Sequence, residues 1–137
     1  MIPDELYKQI VETMPIVCVD MCIQKGDQYL LVMRKNEPLK EEWWVPGGRI
    51  HKGEKSIGAV QRKIKEELGL DLVDSFESIE FMGIFEQEFP KSAWDCSIHT
   101  LSLVYWVDYN SFSGAITLDA QSSASKFGSL PEKFINH

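Results

Sequence analysis

The run from Gly48 to Leu70 constrains this chain more than any other stretch of its sequence. It reads G-x5-E-x7-R-K-I-x-E-E-L-G-L. The apolar positions in its second half are three and four residues apart: Ile57, Val60, Ile64 and Leu68. This spacing predicts a helix over 56–68 with one buried stripe, and Gly69 follows where a terminating glycine is favoured. The run therefore predicts a strand, a glycine turn and a carboxylate-bearing helix in direct succession.

The predicted helix carries two adjacent carboxylates, Glu66 and Glu67, on one face together with Lys63. Carboxylate oxygens are ligands that Mg2+ prefers, and Mn2+ accepts them as well. The Gly47-Gly48 pair can offer a backbone carbonyl to the same ion, because no Cβ blocks the approach. These residues predict a metal site built from Glu66, Glu67 and the carbonyl of Gly48 or its neighbour Gly47.

A solvated helix surface is the competing interpretation, because Lys-Glu-Glu runs are common on exposed helices. Two further residues in the pattern favour the metal site. Glu54 and Arg62 can form a charge-assisted hydrogen bond that ties the helix to the preceding loop. We therefore expect Glu54 and Arg62 to hold the helix and the preceding loop together.

The composition indicates a single globular domain over residues 1–137. The net charge of -7 and the lack of a basic block argue against a nucleic acid polymer as partner. The chain shows no signal-like N-terminus and no apolar run near the length that spans a bilayer, so we expect a cytoplasmic protein without membrane contact. The odd number of cysteines favours reduced thiols.

The order of predicted elements indicates an α/β protein, an α/β/α sandwich with a mixed β-sheet. A short amphipathic helix is expected near the N-terminus, and its exposure is compatible with a homodimer. A loop is expected over 120–125, and at most a short helix over 130–135. Strands are predicted over residues 16–23, 29–35, 78–87 and 98–107, and residues 43–48 are expected to form a short strand that runs into a turn.

The run from Gly48 to Leu70 resembles the Nudix box, G-x5-E-x7-R-E-U-x-E-E-x-G-U with U an apolar residue. It departs from that box at Lys63, where the box has a glutamate. The resemblance implies a Mg2+-dependent hydrolase of a nucleoside diphosphate linked to another group. By position it makes Glu66 and Glu67 metal ligands, Gly48 a carbonyl ligand, and Glu66 part of the catalytic set.

Three segments outside the box resemble GDP-mannose mannosyl hydrolases, which also lack the glutamate at the position of Lys63. These segments are Met14 to Asp20, Leu31 to Pro38, and Trp44 to Arg49. In that subfamily water attacks the sugar carbon and releases GDP. The resemblance implies that Asp20 binds the sugar, that Arg34 and Arg49 bind the diphosphate and assist catalysis, and that Gln121 is a further metal ligand.

Two positions depart from the subfamily pattern. This chain keeps Glu66 where the subfamily has a small residue, and it has Ser122 where the subfamily has its general-base histidine. A serine does not replace an imidazole as a base near neutral pH. Three functions therefore stay open: a Mg2+-dependent hydrolase of a nucleotide sugar such as GDP-mannose, a conventional pyrophosphohydrolase attacking phosphorus, and a catalytically weak nucleotide-binding domain.

Lys63 bears on the number of metal ions. Replacing an acid by Lys63 one turn before Glu67 removes a ligand and adds positive charge. We therefore expect fewer metal ions to bind here than in a site with the full set of acids.

Overall fold

The computed structural model describes residues 2–73 and 78–135 of the chain. The described residues form three α-helices and nine β-strands, with one 3-10 turn over Tyr109–Ser111. In chain order the elements are α1 Asp4–Thr13, β1 Ile16–Lys25, β2 Gln28–Arg34, β3 Trp43–Trp44, β4 Gly47–Arg49, α2 Ser56–Leu68, β5 Asp71–Leu72, β6 Ile79–Phe89, β7 Ile98–Asp108, β8 Phe112–Ser113, β9 Ser122–Gly128 and α3 Glu132–Ile135.

Seven of the strands form one mixed sheet, whose main path runs β3-β2-β1-β7-β6. The central pair β1 and β7 is parallel, whereas β6 and β7 are antiparallel. On its other side β1 meets two partners: β4 pairs with residues 18–20, and β2 pairs with residues 24–25. The first half of β1 therefore pairs with β4, and its end pairs with β2.

The side chains of β1 alternate between the two faces of the sheet, as the period of a strand requires. Val19, Met21 and Ile23 are fully buried in the larger core, against the apolar stripe of α2. Cys22 faces the opposite core, where α3 contributes Phe134. The mixed sheet with helices on it confirms the predicted α/β fold class.

Most predicted elements are confirmed within one or two residues, including the helix over 56–68 and its terminating Gly69 in the left-handed conformation. The prediction of a loop over 120–125 was wrong from Ser122 onward. Ser122–Gly128 forms β9, which pairs with β2. The strand is mostly polar because it lies at the sheet edge, so it lacks the apolar alternation that marks a half-buried strand. Gly47–Arg49 is also strand β4, where a turn was expected.

None of the helices in the described ranges is long and apolar enough to cross a membrane.

Candidate functional site

A cavity of about 150 Å³ lies beside the first half of β1 and the paired strand β4. Its wall includes all three predicted substrate-binding residues: Asp20, Arg34 and Arg49. Both glycines of β4 line it as well. A larger recess of about 580 Å³ shares wall residues Leu39 and Phe89 with this cavity, so the two spaces adjoin.

Asp20 is held in the cavity wall by β1, between β4 on one side and β7 on the other. The Ser102 hydroxyl donates a hydrogen bond of 2.5 Å to Asp20 Oδ2. Burial raises the pKa of Asp20 to about 7, although the hydrogen bond from Ser102 lowers it. The Glu67 carboxylate adds to the increase, so Asp20 and Glu67 interact electrostatically. The cavity thus contains a carboxyl group that titrates near neutral pH.

The two arginines of the cavity are positioned by different contacts. Arg34 lies at the end of β2, and its Nε donates to the carbonyl of Pro38 at 2.7 Å. The Arg49 guanidinium lies over the ring of Tyr7 from α1, with its carbon 5.2 Å from the ring centroid. Tyr7 in turn stacks on Trp94, with ring centroids 5.1 Å apart. This stack fixes Arg49 at the cavity wall.

Glu54 and Arg62 form the predicted link between the loop and α2. Arg62 Nε donates to Glu54 Oε2 at 2.7 Å, and Arg62 Nη2 donates to Glu54 Oε1 at 2.9 Å. Arg62 Nη2 also donates to the carbonyl of Arg49 at 2.9 Å. The paired bonds from Arg62 hold the pKa of Glu54 well below its usual range, at about 2. Arg62 therefore connects α2 with both the loop and β4.

Lys63 lies between the two predicted metal-ligating carboxylates. Its Nζ is 3.5 Å from Glu66 Oε2 and 3.4 Å from Glu67 Oε1. The Lys63 side chain is only 14% exposed, and that of Glu67 only 6%. A Cβ on Gly48 would come within 2.5 Å of Lys63 Cε. The lysine stem therefore crosses Gly48 where any other residue would place its Cβ, and the ammonium ends at the carboxylates.

Burial raises the pKa of Glu67, and the nearby Lys63 ammonium opposes this increase. The Asp119 carboxylate raises the pKa of Glu67 further, whereas Arg34 lowers it. Charged groups from three separate segments thus act on this one carboxylate.

The donors Glu66, Glu67 and a glycine carbonyl match Mg2+ or Mn2+ in chemistry, because all are hard oxygen ligands. Their present arrangement contains an ammonium close to both carboxylates. Among the described residues, no group of three or more His, Cys, Asp or Glu side chains is arranged to hold a metal ion. These donors therefore suit a divalent ion in their chemistry, and the Lys63 ammonium lies beside them.

The pairing of β4 with β1 bears on which glycine carbonyl is available. Met21 N donates to the Pro46 carbonyl and Ile50 N donates to the Val17 carbonyl. Alternation along an antiparallel ladder then makes Val19 and Gly48 a hydrogen-bonded pair, which directs the Gly48 carbonyl to β1. The same pattern leaves the carbonyl of Gly47 outside this ladder. The geometry therefore favours the Gly47 carbonyl over the Gly48 carbonyl as a metal ligand.

Gln121 and Ser122 lie beside the end of β2. The register places Ser122 opposite Arg34, and Gln121 Oε1 accepts a hydrogen bond of 3.1 Å from Asn36. The role of Gln121 as a metal ligand stays a prediction.

The described histidines do not line the cavity. His99 Nε2 is 2.6 Å from Glu86 Oε2 on the neighbouring strand, and the His51 backbone N–H donates to Glu54. His137 lies outside the described residues.

Sequence reasoning missed three contributors to the site: Tyr7, Ser102 and Asp119. Tyr7 is one of several apolar or aromatic residues on α1, and only the packing shows that it supports Arg49. Ser102 is an ordinary polar residue in an apolar strand, where a buried hydroxyl needs a partner. Asp119 lies two residues before Gln121, which was predicted as a metal ligand. Of the three missed residues, it is the one whose position in the sequence could have suggested a role in the site.

Comparison with known proteins gives a family for this arrangement. The family model described as NUDIX domain matches residues 14–130. The low-salt glycan biosynthesis protein Agl8 of Haloferax volcanii is 41% identical over 66% of this chain and 56% of its own length. An ADP-ribose pyrophosphatase of Methanocaldococcus jannaschii is 44% identical over 76% of this chain and 57% of its own length. The chain thus spans little more than half the length of these relatives.

A solved structure agrees with the fold. The MutT NUDIX hydrolase of Burkholderia pseudomallei superposes with a TM-score of 0.72 at 24% identity, covering 89% of this chain and 94% of that chain. This likeness concerns the fold alone. Because the NUDIX domain model matches most of the sequence, the chain belongs to the Nudix family.

Proposed function

We propose that this protein hydrolyses a nucleoside diphosphate linked to a sugar, with GDP-mannose and ADP-ribose as the first compounds to test. One observation carries the proposal: Asp20, Arg34 and Arg49 line a single cavity next to the glycine strand β4. Two guanidinium groups suit a diphosphate, because each can donate paired hydrogen bonds to phosphate oxygens. Asp20 suits the hydroxyl groups of a sugar, since a carboxylate accepts their hydrogen bonds.

The dimensions of the site agree with a ligand of this kind. The cavity of about 150 Å³ accommodates only part of a nucleotide sugar, since pockets for ligands of that size span roughly 300–1,000 Å³. The adjoining recess of about 580 Å³ provides space for the remainder. We therefore assign the diphosphate to the arginine-lined cavity and the rest of the ligand to the recess.

The chain's own residues supply two parts of the chemistry. Arg34 and Arg49 stabilise the negative charge that develops on the departing diphosphate. Asp20 is the carboxyl group of the cavity with a pKa near neutral, so it can accept a proton from an attacking water. A bound Mg2+ or Mn2+, held by Glu66, Glu67 and a glycine carbonyl, would add further stabilisation of the diphosphate.

Two other functions are distinguished by experiment. Attack at phosphorus is favoured by the relative named as an ADP-ribose pyrophosphatase. A protein that binds a nucleotide without efficient turnover is favoured by Ser122. This serine lies opposite Arg34, so that position carries no imidazole that could act as a base. The protein should be incubated with Mg2+ and GDP-sugars, ADP-ribose or nucleoside triphosphates in 18O-labelled water.

The position of the label decides among the three. Label in the released sugar supports attack at carbon, and label in a phosphate shows attack at phosphorus. If no compound is turned over while ADP or GDP still binds, the hydrolase proposal is wrong. An Arg34→Gln variant is the control, because it should lower any genuine turnover.

A further inference from the structure

We propose that the Lys63 ammonium is a built-in cation that takes the place of one divalent ion, so that the free protein binds Mg2+ and Mn2+ weakly. The inference deepens the proposed function, since it concerns the metal site of the same cavity region. It concerns this chain in particular, because Lys63 is the one departure from the family box.

The first support is the position of the ammonium. Lys63 Nζ lies within 3.5 Å of a carboxylate oxygen of Glu66 and of Glu67, so it contacts the two acids that would hold a metal. An ion bound between those acids would lie next to a fixed positive charge. Repulsion between the two cations lowers the affinity of the site for the divalent ion.

The second support is the fit of the lysine stem against Gly48. A Cβ at residue 48 would lie 2.5 Å from Lys63 Cε and 2.8 Å from Lys63 Cδ. The glycine thus leaves the channel along which the stem reaches the carboxylates. Because the side chain is only 14% exposed, it is packed in place and does not extend freely into water.

The third support is the charge around Glu67. Its carboxylate is nearly buried, and the Lys63 ammonium lies 3.4 Å from Glu67 Oε1. Burying a carboxylate is costly unless a cation is paired with it. Lys63 already supplies that cation, so the protein is charge-compensated at this position without a divalent ion.

The test measures Mn2+ binding directly, by the electron paramagnetic resonance signal of the free ion during titration. Wild type is compared with Lys63→Met and Lys63→Glu, and with Lys65→Met as the matched control. Lys65 lies on the same helix but pairs with Asp71 at an exposed position. We expect Lys63→Met to bind Mn2+ at least about tenfold more tightly than wild type, because the repelling charge is gone.

The same titration ranks the Mn2+ affinities of the other variants, with Lys63→Arg added because it keeps the positive charge. Lys63→Glu should bind Mn2+ at least as tightly as Lys63→Met. Lys63→Arg should stay as weak as wild type, and Lys65→Met should match wild type. Adding Glu67→Gln to Lys63→Met should restore weak binding, which places the ion at this site. Lys63→Gln is the second charge-removing variant if Lys63→Met does not fold, as judged by circular dichroism.

The inference is overturned if folded Lys63→Met or Lys63→Gln binds Mn2+ no more tightly than Lys65→Met. The binding assay needs no substrate, so its result is separate from that of the proposed function. A gain in Mn2+ affinity without turnover of any nucleotide sugar would reject the hydrolase and keep the inference. Turnover of a nucleotide sugar with an unchanged Mn2+ affinity of the Lys63 variants would keep the hydrolase and reject the inference.

Discussion

Ser102 and Asp20 lie on the neighbouring parallel strands β7 and β1, and the Ser102 hydroxyl donates a hydrogen bond of 2.5 Å to Asp20 Oδ2. The bond partly compensates the burial of the carboxylate, yet the pKa of Asp20 is still raised from 3.8 to about 7. The folded protein therefore holds a proton on Asp20 more tightly than the unfolded chain does. This contribution to stability is fully present below pH 3.8 and is lost as the pH rises through about 7.

Asp20→Asn should consequently stabilise the protein at high pH while reducing any hydrolysis. The quantity of interest is the free energy of unfolding of Asp20→Asn minus that of wild type. We expect this difference to be about 2–4 kcal/mol larger at pH 8 than at pH 4. Urea unfolding at both pH values measures the difference. Asp27→Asn, in the exposed hairpin turn, is the control for replacing an aspartate away from the cavity. An Asp20→Asn difference that is the same at both pH values would show that this carboxyl group does not titrate near neutrality.

The Glu54–Arg62 pair should make stability depend on acid pH in the opposite sense. The pKa of Glu54 is lowered from 4.5 to about 2, so its contribution is present above pH 4.5 and lost as the pH falls to about 2. Arg62→Lys removes the paired hydrogen bonds and should lower the free energy of unfolding by about 1–2 kcal/mol at pH 7. Lys65→Ala, which breaks an exposed ion pair with Asp71, should change it by less than about 0.5 kcal/mol.

Thermal or urea unfolding measures both variants. Equal losses for Arg62→Lys and Lys65→Ala would mean that the Glu54–Arg62 pair adds no more than an ordinary surface ion pair.

Three glycines should respond differently to alanine. A Cβ at Gly47 would overlap the Val19 carbonyl and Asp20 Oδ1, so Gly47→Ala should cost at least about 2 kcal/mol, because backbone must shift. At Gly48 the obstacle is the outer part of the Lys63 side chain and not backbone, so we expect a smaller loss of about 1 kcal/mol. A Cβ at Gly58 in α2 would make only an ordinary van der Waals contact with Glu54 Cγ at 3.9 Å, so Gly58→Ala should stabilise the helix by about 0.5–1 kcal/mol.

The cost of Gly48→Ala should largely disappear in a Lys63→Ala background, because the overlap is removed. Urea unfolding of the four members of this double-mutant cycle gives the coupling energy between the two positions. Strictly additive losses would show that the lysine stem does not occupy the space above Gly48.

The sequence predicted those parts of the fold that have a strong local period. The helix Ser56–Leu68 was recognisable because its apolar stripe, its terminating glycine and its Glu54–Arg62 link all lie within one short run. Strand β9 was missed because its residues are mostly polar and its pairing partner is far away in the sequence. Edge strands of this kind are specified by the neighbouring strand more than by their own composition.

The candidate site likewise has a part that the sequence predicted and a part that it did not. The resemblance to GDP-mannose mannosyl hydrolases indicated Asp20, Arg34 and Arg49, and the structure brings all three to one cavity. The contacts of Lys63 could not be read from the helical spacing alone, since the same spacing fits a lysine extended into water. The approach of its stem to Gly48 depends on how α2 packs on β4, which is a tertiary relationship.

Glu67→Gln should abolish metal-dependent hydrolysis, because it removes the more buried of the two acids on the α2 face. A loss of kcat by at least about a hundredfold is expected if the carboxylate holds an ion that stabilises the diphosphate. Activity at several Mg2+ concentrations, measured beside the exposed control Glu12→Gln, separates weaker binding of the ion from loss of function. Unchanged kcat in Glu67→Gln would exclude this residue as a metal ligand.

Arg49 should matter for ligand binding through its guanidinium and through its position over Tyr7. Arg49→Lys keeps the charge but loses the planar group that stacks on the ring and can donate paired bonds to a phosphate. We expect the affinity for ADP or GDP to fall by about 10–100-fold in Arg49→Lys, measured by calorimetry. Tyr7→Phe should bind nearly as wild type because the ring is retained, and Tyr7→Ala should weaken binding because Arg49 loses its support. Lys52→Ala removes an exposed cation in the adjacent loop and provides the control for net charge. If Lys52→Ala lowered the affinity for ADP or GDP as much as Arg49→Lys, the effect would be one of general charge.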